Sequence, residues 1–144
     1  MRPAKVHPDV RAALLKATAA AAKGLDPKVK HLVELRSSQI NHCAFCIDMH
    51  VKEAKEAGET DERLHFLNAW EEAADHYSEK ERAALALAEA VTVLTDGFVP
   101  DDVYERAARH FDEEELGQLI AVITLINGWN RFNVALRTPP GLKK

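Results

Sequence analysis

The sequence lacks a concentrated basic segment and has almost no segment with the pattern of a β-strand. Only residues 90–95 (AVTVLT) are enriched in β-branched side chains, and they continue a helical pattern instead of alternating. The 19 basic residues are spread along the 144-residue chain among 23 acidic ones, and the net charge is −4. A nucleic-acid-binding protein needs a concentrated basic face. We therefore expect no nucleic-acid partner.

Long apolar segments are also lacking. Residues 1–10 contain charges and two prolines, and no apolar core of a signal peptide follows them. The longest uncharged run, residues 116–130, has 15 residues, whereas a membrane-spanning helix needs about 20. We therefore expect a cytoplasmic protein without a membrane partner. In the reducing cytosol a close cysteine pair indicates metal binding or redox chemistry more than a structural disulfide.

Helix-boundary signals, in contrast, are frequent. Capping residues begin three of the helices, in the patterns Asp26-Pro27, Ser78 with Glu81, and Asp112 with Glu115. The sequence predicts helices near residues 8–23, 27–41, 42–57, 61–74, 79–95, 101–110 and 113–137. No linker or low-complexity tract divides the chain. We expect an all-α, single-domain helical bundle over residues 1–144.

The helix predicted at residues 113–137 has an apolar centre, LIAVITLINGW. A helix that is apolar on nearly every side must be buried all round. It is therefore either the central helix of a monomer or part of a subunit interface, together with neighbours such as the helix at 79–95.

Both cysteines of the chain lie in the run INHCAFCIDMH, residues 40–50. If Asn41 caps the helix that follows, Cys43, Cys46 and His50 project from one face within a wedge of about 60°. An imidazole or a helix N-terminus promotes the reactive thiolate, and a second thiol can close a disulfide on an oxidised sulfur. The helix N-terminus favours Cys43 as the thiolate, whereas His50 favours Cys46. The spacing leaves this choice open.

Other interpretations of the two thiols exist. They could pack in a core as small apolar side chains. A structural zinc site needs four ligands, and without a second CxxC or HxxxH pair His42 or Glu34 would have to complete it. A thioredoxin-type fold needs a strand before CxxC, and none is readable. Glu34 lies nine residues before Cys43, half a turn away on an unbroken helix, so it joins the thiols only if the chain turns within residues 39–42.

These residues resemble the alkylhydroperoxidase D-like proteins of the carboxymuconolactone decarboxylase family. The resemblance rests on three runs: ELRSSQINHCAFCIDMHVKEAKEAG, WEEAADHYSEKERAALALAEAVT and INGWNRFNVALR. It covers about Val29 to Arg137, the core of the predicted domain, and CxxCxxxH is its most specific element. It implies an all-α fold assembled as a homotrimer or homohexamer.

The resemblance also implies a peroxidase with a redox-active CxxC pair. In similar proteins the second cysteine, here Cys46, attacks the peroxide, and the first, here Cys43, resolves the sulfenic acid as a disulfide. The residues matching His50 and Glu34 form a proton relay to the thiol. The best-described branch has a histidine where this chain has Phe45, and its glutamate lies further upstream. The chain looks instead like a shorter, single-core branch, and the reductant expected from the resemblance is a dithiol or lipoyl-type electron donor.

We therefore expect a thiol-dependent peroxidase that reduces alkyl or hydrogen peroxides without a cofactor or metal. Phe45 and Trp129 could admit an organic hydroperoxide. One alternative is a decarboxylase-like lyase acting on a small lactone acid, whose activity would survive replacement of either cysteine. Another is a non-enzymatic CxxC redox sensor, which would form a reversible disulfide with negligible turnover.

Overall fold

A computed structural model of the chain describes residues 1–141, which form seven α-helices and two short 3-10 turns and contain no β-strand. The helices are α1 (Pro8–Ala21), α2 (Pro27–Ile40), α3 (Ala44–Glu56), α4 (Asp61–Phe66), α5 (Glu79–Thr92), α6 (Asp101–Ala108) and α7 (Glu113–Leu136). The all-α class predicted from the sequence is confirmed. The predicted domain also includes residues 142–144, which lie outside the described residues.

Capping residues set several of the helix starts. Asp26 accepts a hydrogen bond from the Lys28 amide at 2.9 Å before α2. Ser78 and Asp112 begin α5 and α7, each with the reciprocal pair of capping-box hydrogen bonds. The structure contains a helix for each prediction, and six of the seven have both ends within three residues of the predicted ones.

The predicted helix at residues 61–74 is wrong beyond Phe66. The chain tightens there into a 3-10 turn at Leu67–Ala69 and, after a further turn, another at Ala74–His76. Leu67 is fully buried, and the Trp70 indole nitrogen donates to Glu89 of α5 at 2.8 Å. Tertiary contacts thus take precedence over local helix propensity in this segment.

The helix α2 lies between two hydrophobic clusters. Val29 and Val33 pack into a cluster built with α5, α6 and α7, while Leu32 and Leu35 pack into one built with α3, α4 and α5. Each of these side chains is at most 1% exposed, and burying one of this size stabilises the fold by about 1.5–3 kcal/mol. Because both its sides are packed, α2 is the rigid element from which the candidate site is built.

The helix α7 is buried along one side only. Its buried side includes Leu119, Ile123 and Asn130, whereas Thr124 is exposed and Leu125 is half-buried. The alternative in which α7 is buried on every side of a monomer is therefore wrong, and the subunit interface stays a prediction. By length and composition alone α7 could cross a membrane, a criterion that core helices of soluble proteins also meet.

Candidate active site

The two cysteines follow a sharp turn between α2 and α3. His42 adopts the left-handed conformation with φ 54°, and the Cys43 amide donates to the Ser38 carbonyl at 3.0 Å. The predicted cap of α3 by Asn41 is wrong. The helix begins two residues later, and its N-cap is Cys43, whose Sγ accepts from the Cys46 amide at 3.3 Å.

The Asn41 side chain points to α7 instead. Its amide donates to Asn127 Oδ1 at 2.9 Å and to Asn130 Oδ1 at 3.0 Å. Asn130 is fully buried and donates in turn to Ser38 Oγ at 3.0 Å. These hydrogen bonds fix the turn to α7, and each buried polar side chain among them has a hydrogen-bond partner in the group.

Cys43 and Cys46 are joined by a disulfide, and each is 1% exposed. Cys46 lies in the first turn of α3, with His50 one turn further along the same helix. The two cysteines differ in their surroundings, because Cys46 lines a cavity and Cys43 does not. In the reduced protein, Cys46 is thus the sulfur that a small molecule in the cavity would meet.

The cavity has a volume of about 380 Å³ and lies between α1, α2, α3, α7 and the N-terminal segment (residues 1–7). Glu34 and His50 line it together with Cys46. The turn between α2 and α3 therefore brings Glu34 to the cavity of Cys46, which an unbroken helix could not do. The predicted aromatic neighbours Phe45 and Trp129 line it as well.

Glu34 is a buried carboxylate with a cation beside it. It is 5% exposed, and the Lys30 ammonium lies 2.7 Å from its Oε1, one turn earlier on α2. A buried carboxylate stays ionised only where a positive charge or hydrogen bonds compensate its lost hydration. The Lys30 ammonium supplies such a compensating charge to the Glu34 carboxylate.

His50 is buried and has a free proton-accepting capacity. Its Nδ1 lies 3.3 Å from Glu53 Oε2, but at an angle that does not form a hydrogen bond. Neither ring nitrogen is hydrogen-bonded to another group of the described protein, and the ring is 3% exposed. A buried imidazole without a hydrogen bond is unusual in a native structure. It can take up the proton released when a thiol next to it ionises.

Sequence analysis missed His31, which interacts electrostatically with Lys30, Glu34, His50 and Glu53. Burial and the Lys30 ammonium lower the pKa of His31, against the opposing effect of the Glu34 and Glu53 carboxylates. Its Nδ1 is buried without a hydrogen bond. The signal was present in the helical spacing, since His31 precedes Glu34 by three residues and Glu53 follows His50 by three. Nothing in the sequence indicates that the N-terminal segment reaches the cavity.

Within residues 1–141 no group of three or more His, Cys, Asp or Glu side chains is arranged to hold a metal ion. A zinc site completed by His42 or Glu34 therefore has no ligand set in this part of the chain. The same arrangement suits proton and electron transfer, with one sulfur facing a cavity, a second sulfur bonded to it, and an imidazole and a carboxylate alongside.

Comparison with known proteins agrees with this architecture. Residues 8–90 match the model of the Carboxymuconolactone decarboxylase family. The chain is 46% identical over 107 residues to the uncharacterized protein YdfG of Bacillus subtilis strain 168, covering 74% of this chain and 72% of that protein.

Two solved structures are similar along most of the chain. A protein of unknown function from Agrobacterium tumefaciens, proposed as the antioxidant defence protein AhpD, superposes with a TM-score of 0.90 at 36% identity, covering 95% of this chain and 94% of that one. The debrominase Bmp8 superposes with a TM-score of 0.79 at 25% identity, covering 92% and 72%. This chain therefore belongs to the carboxymuconolactone decarboxylase family, as one of its alkylhydroperoxidase D-like members.

Proposed function

We propose that the protein is a thiol peroxidase that reduces alkyl or hydrogen peroxides, with Cys46 as the nucleophile. The observation behind the proposal is that Cys46 lines the cavity with His50 and Glu34, whereas Cys43, its disulfide partner, does not. A peroxide in the cavity would therefore meet the Cys46 sulfur, and Cys43 would act as the resolving thiol.

The reaction begins from the reduced pair. His50 accepts the Cys46 proton, and the thiolate attacks one peroxide oxygen, so that a sulfur–oxygen bond forms as the oxygen–oxygen bond breaks. The leaving alkoxide takes the proton and departs as an alcohol, or as water from hydrogen peroxide. The Glu34 carboxylate, which contacts the Lys30 ammonium, would stabilise the protonated imidazole in the same cavity.

Cys43 then completes the oxidation. Its sulfur attacks the sulfenic acid of Cys46, the disulfide forms, and the sulfenic oxygen leaves as water with the Cys43 proton. The disulfide of this structure corresponds to that product. An external dithiol, a lipoyl-type donor among the candidates, reduces the pair and becomes a disulfide itself, which closes the cycle with two electrons transferred per peroxide.

The test is turnover of cumene hydroperoxide with dihydrolipoamide by the wild type, Cys46→Ser and Cys43→Ser. We expect turnover to vanish in Cys46→Ser and to fall sharply in Cys43→Ser, which keeps the nucleophile but cannot close the disulfide. A full first turnover in Cys46→Ser would overturn the assignment. Absence of both turnover and disulfide formation would favour a lyase, and a disulfide that forms once without turnover would favour a redox sensor.

Reductive dehalogenation is a second candidate. The debrominase Bmp8 is similar to this chain at 25% identity, and a cysteine-to-alanine variant of it was crystallised with 2,3,4-tribromopyrrole. The aromatic rings of Phe45, Trp129 and Phe132 line the cavity of the present chain and suit a flat halogenated ring. Bromide release from 2,3,4-tribromopyrrole in the presence of a dithiol would identify this activity, whereas peroxide turnover without bromide release would exclude it.

A further inference from the structure

The volume, the apolar walls and the charges of the cavity indicate which class of hydroperoxide it binds. We propose that its substrate is an organic hydroperoxide whose apolar body ends in a carboxylate, and that Lys5 and Arg11 bind this carboxylate. The inference rests on the proposed peroxidase function for the reacting group, while the ligand class follows from the cavity itself.

The volume of the cavity argues for an organic substrate. Hydrogen peroxide occupies little more space than a water molecule, whose share of the liquid is about 30 Å³. The cavity of about 380 Å³ is an order of magnitude larger and lies in the range of sites that bind small organic ligands. A peroxide with a body of about ten carbon atoms would fill far more of it than hydrogen peroxide.

Apolar side chains provide the walls for such a body. They are Phe45 and Met49 of α3 and Ile126, Trp129, Phe132 and Leu136 of α7. The Trp129 ring is held in position because its indole nitrogen donates to Thr18 Oγ1 of α1 at 3.0 Å. Because the ring is already fixed, a ligand can pack against it without the loss of side-chain entropy that ordering a mobile ring would cost.

The inner part of the cavity already holds two carboxylates, those of Glu34 and Glu53. The Lys30 ammonium contacts Glu34 at 2.7 Å, and His50 Nδ1 lies 3.3 Å from Glu53 Oε2. All four residues line the cavity. A second anion placed among these carboxylates would be repelled, so the inner part favours a neutral group such as a hydroperoxide.

The outer part of the cavity differs because its cations are not balanced. Lys5 and Arg11 line the cavity and are exposed, and within residues 1–141 neither of them forms an ion pair with a carboxylate. The Arg11 guanidinium carbon lies 5.9 Å from the centroid of the Trp129 ring. Stacking of this kind leaves the N–H edge of a guanidinium available to a carboxylate.

Lys5 is brought to the cavity by the anchoring of the N-terminal segment. The Arg2 amide donates to the Leu136 carbonyl at 2.8 Å, and its guanidinium donates to the Ala135 carbonyl at 3.0 Å. Both carbonyls belong to the last turn of α7, whose negative dipole end attracts the guanidinium. Met1, Ala4 and Lys5 thereby lie along the cavity. A ligand with its peroxide at buried Cys46 has its opposite end towards these exposed cations.

Binding of a non-reactive ligand tests the ligand class without any turnover. Terminally hydroxylated decanoic acid and its methyl ester would be titrated by calorimetry against the wild-type protein and the Lys5→Gln/Arg11→Gln double variant. Lys16→Gln is the matched control, because Lys16 is an exposed cation of α1 that does not line the cavity. We expect the wild type and the control to bind the acid about tenfold more tightly than the ester, since both partners of the contact are charged. In the double variant, the dissociation constants of the acid and the ester should differ by no more than about twofold.

Turnover then separates this inference from the proposed function. The substrates would be decanoic acid with a terminal hydroperoxide and its methyl ester, assayed with a dithiol at low ionic strength. We expect kcat/KM to favour the acid about tenfold in the wild type and the control, and this preference to disappear in the double variant. Equal binding of acid and ester by the wild type would overturn the ligand class. Preferential binding of the acid with no turnover of either hydroperoxide would leave the ligand class standing and overturn the peroxidase.

Discussion

Asn41 and Asn130 connect the turn before the cysteines to the middle of α7, through a 3.0 Å hydrogen bond between the Asn41 amide and Asn130 Oδ1. Asn130 has no exposed surface, and it donates in turn to Ser38 Oγ at 3.0 Å, in the last turn of α2. The last turn of α2, the turn that follows it and α7 therefore meet at one buried amide. The position of the disulfide depends on a residue almost ninety positions further along the chain.

Replacing Asn130 by alanine should destabilise the fold by about 2–3 kcal/mol. The change leaves a cavity and removes one of the two acceptors of the Asn41 amide and the donor to Ser38. Urea denaturation of the oxidised protein measures the effect. Thr124→Ala is the control on the same helix, because the exposed Thr124 hydroxyl donates only to the Ile120 carbonyl. Equal stability of Asn130→Ala and the control would contradict the structural role given to Asn130.

His42 should be better replaced by glycine than by alanine. Its φ of 54° lies in the left-handed region, which strains any residue that has a Cβ by about 1–2 kcal/mol, whereas glycine adopts it without strain. The side chain is exposed, so little packing is lost. The greater backbone entropy that glycine loses on folding offsets part of this gain. We therefore expect His42→Gly to be more stable than His42→Ala by about 0.5–1 kcal/mol. Urea midpoints of the two variants give the answer, and a less stable His42→Gly would show that the turn is not strained.

The sequence predicted the helices well because their boundaries have local causes. The capping boxes of Ser78 and Asp112 and the cap of Asp26 need only residues within one turn. Helical spacing also placed Cys46 and His50 on the same helix one turn apart.

The parts that could not be predicted depend on distant contacts. The chain leaves the helix after Phe66 because Trp70 bonds to Glu89 in another helix. Asn41 fails to cap α3 because it finds partners on α7. Lys5 reaches the cavity only because Arg2 binds the end of α7. None of these pairings leaves a periodic signal in the sequence.

Replacing Glu34 by glutamine should lower kcat/KM for peroxide by about 100-fold, in the range of contributions from acid–base groups. The amide keeps the shape of the side chain but removes its negative charge from the cavity that His50 also lines. The dependence of kcat/KM on pH should change together with its magnitude. Glu56→Gln is the control, because Glu56 is exposed on α3 and does not line the cavity. Unchanged kcat/KM in a folded Glu34→Gln variant would remove Glu34 from the relay.

Away from the cavity, Arg63 holds a buried ionic cluster together. Its guanidinium binds the carboxylates of Glu59 and Glu81, and the Tyr77 hydroxyl donates to the Arg63 carbonyl. Burial opposes ionisation of Glu81, but hydrogen bonds from Arg63 and Ser78 outweigh it and lower the pKa of Glu81 below its usual value. Burial raises the pKa of Tyr77 to about 12.

The lowered pKa of Glu81 makes the stability of the protein depend on pH. The folded state holds the Glu81 proton less tightly than the unfolded state does, so the stabilisation is complete above the unfolded-state pKa of 4.5 and is lost as the pH falls through the folded-state pKa. We expect the urea midpoint of the wild type to fall between about pH 5 and pH 3, and to fall less in Glu81→Gln. The exposed control Glu56→Gln should retain the wild-type dependence. An equally steep decline in Glu81→Gln would show that other carboxylates cause the acid sensitivity.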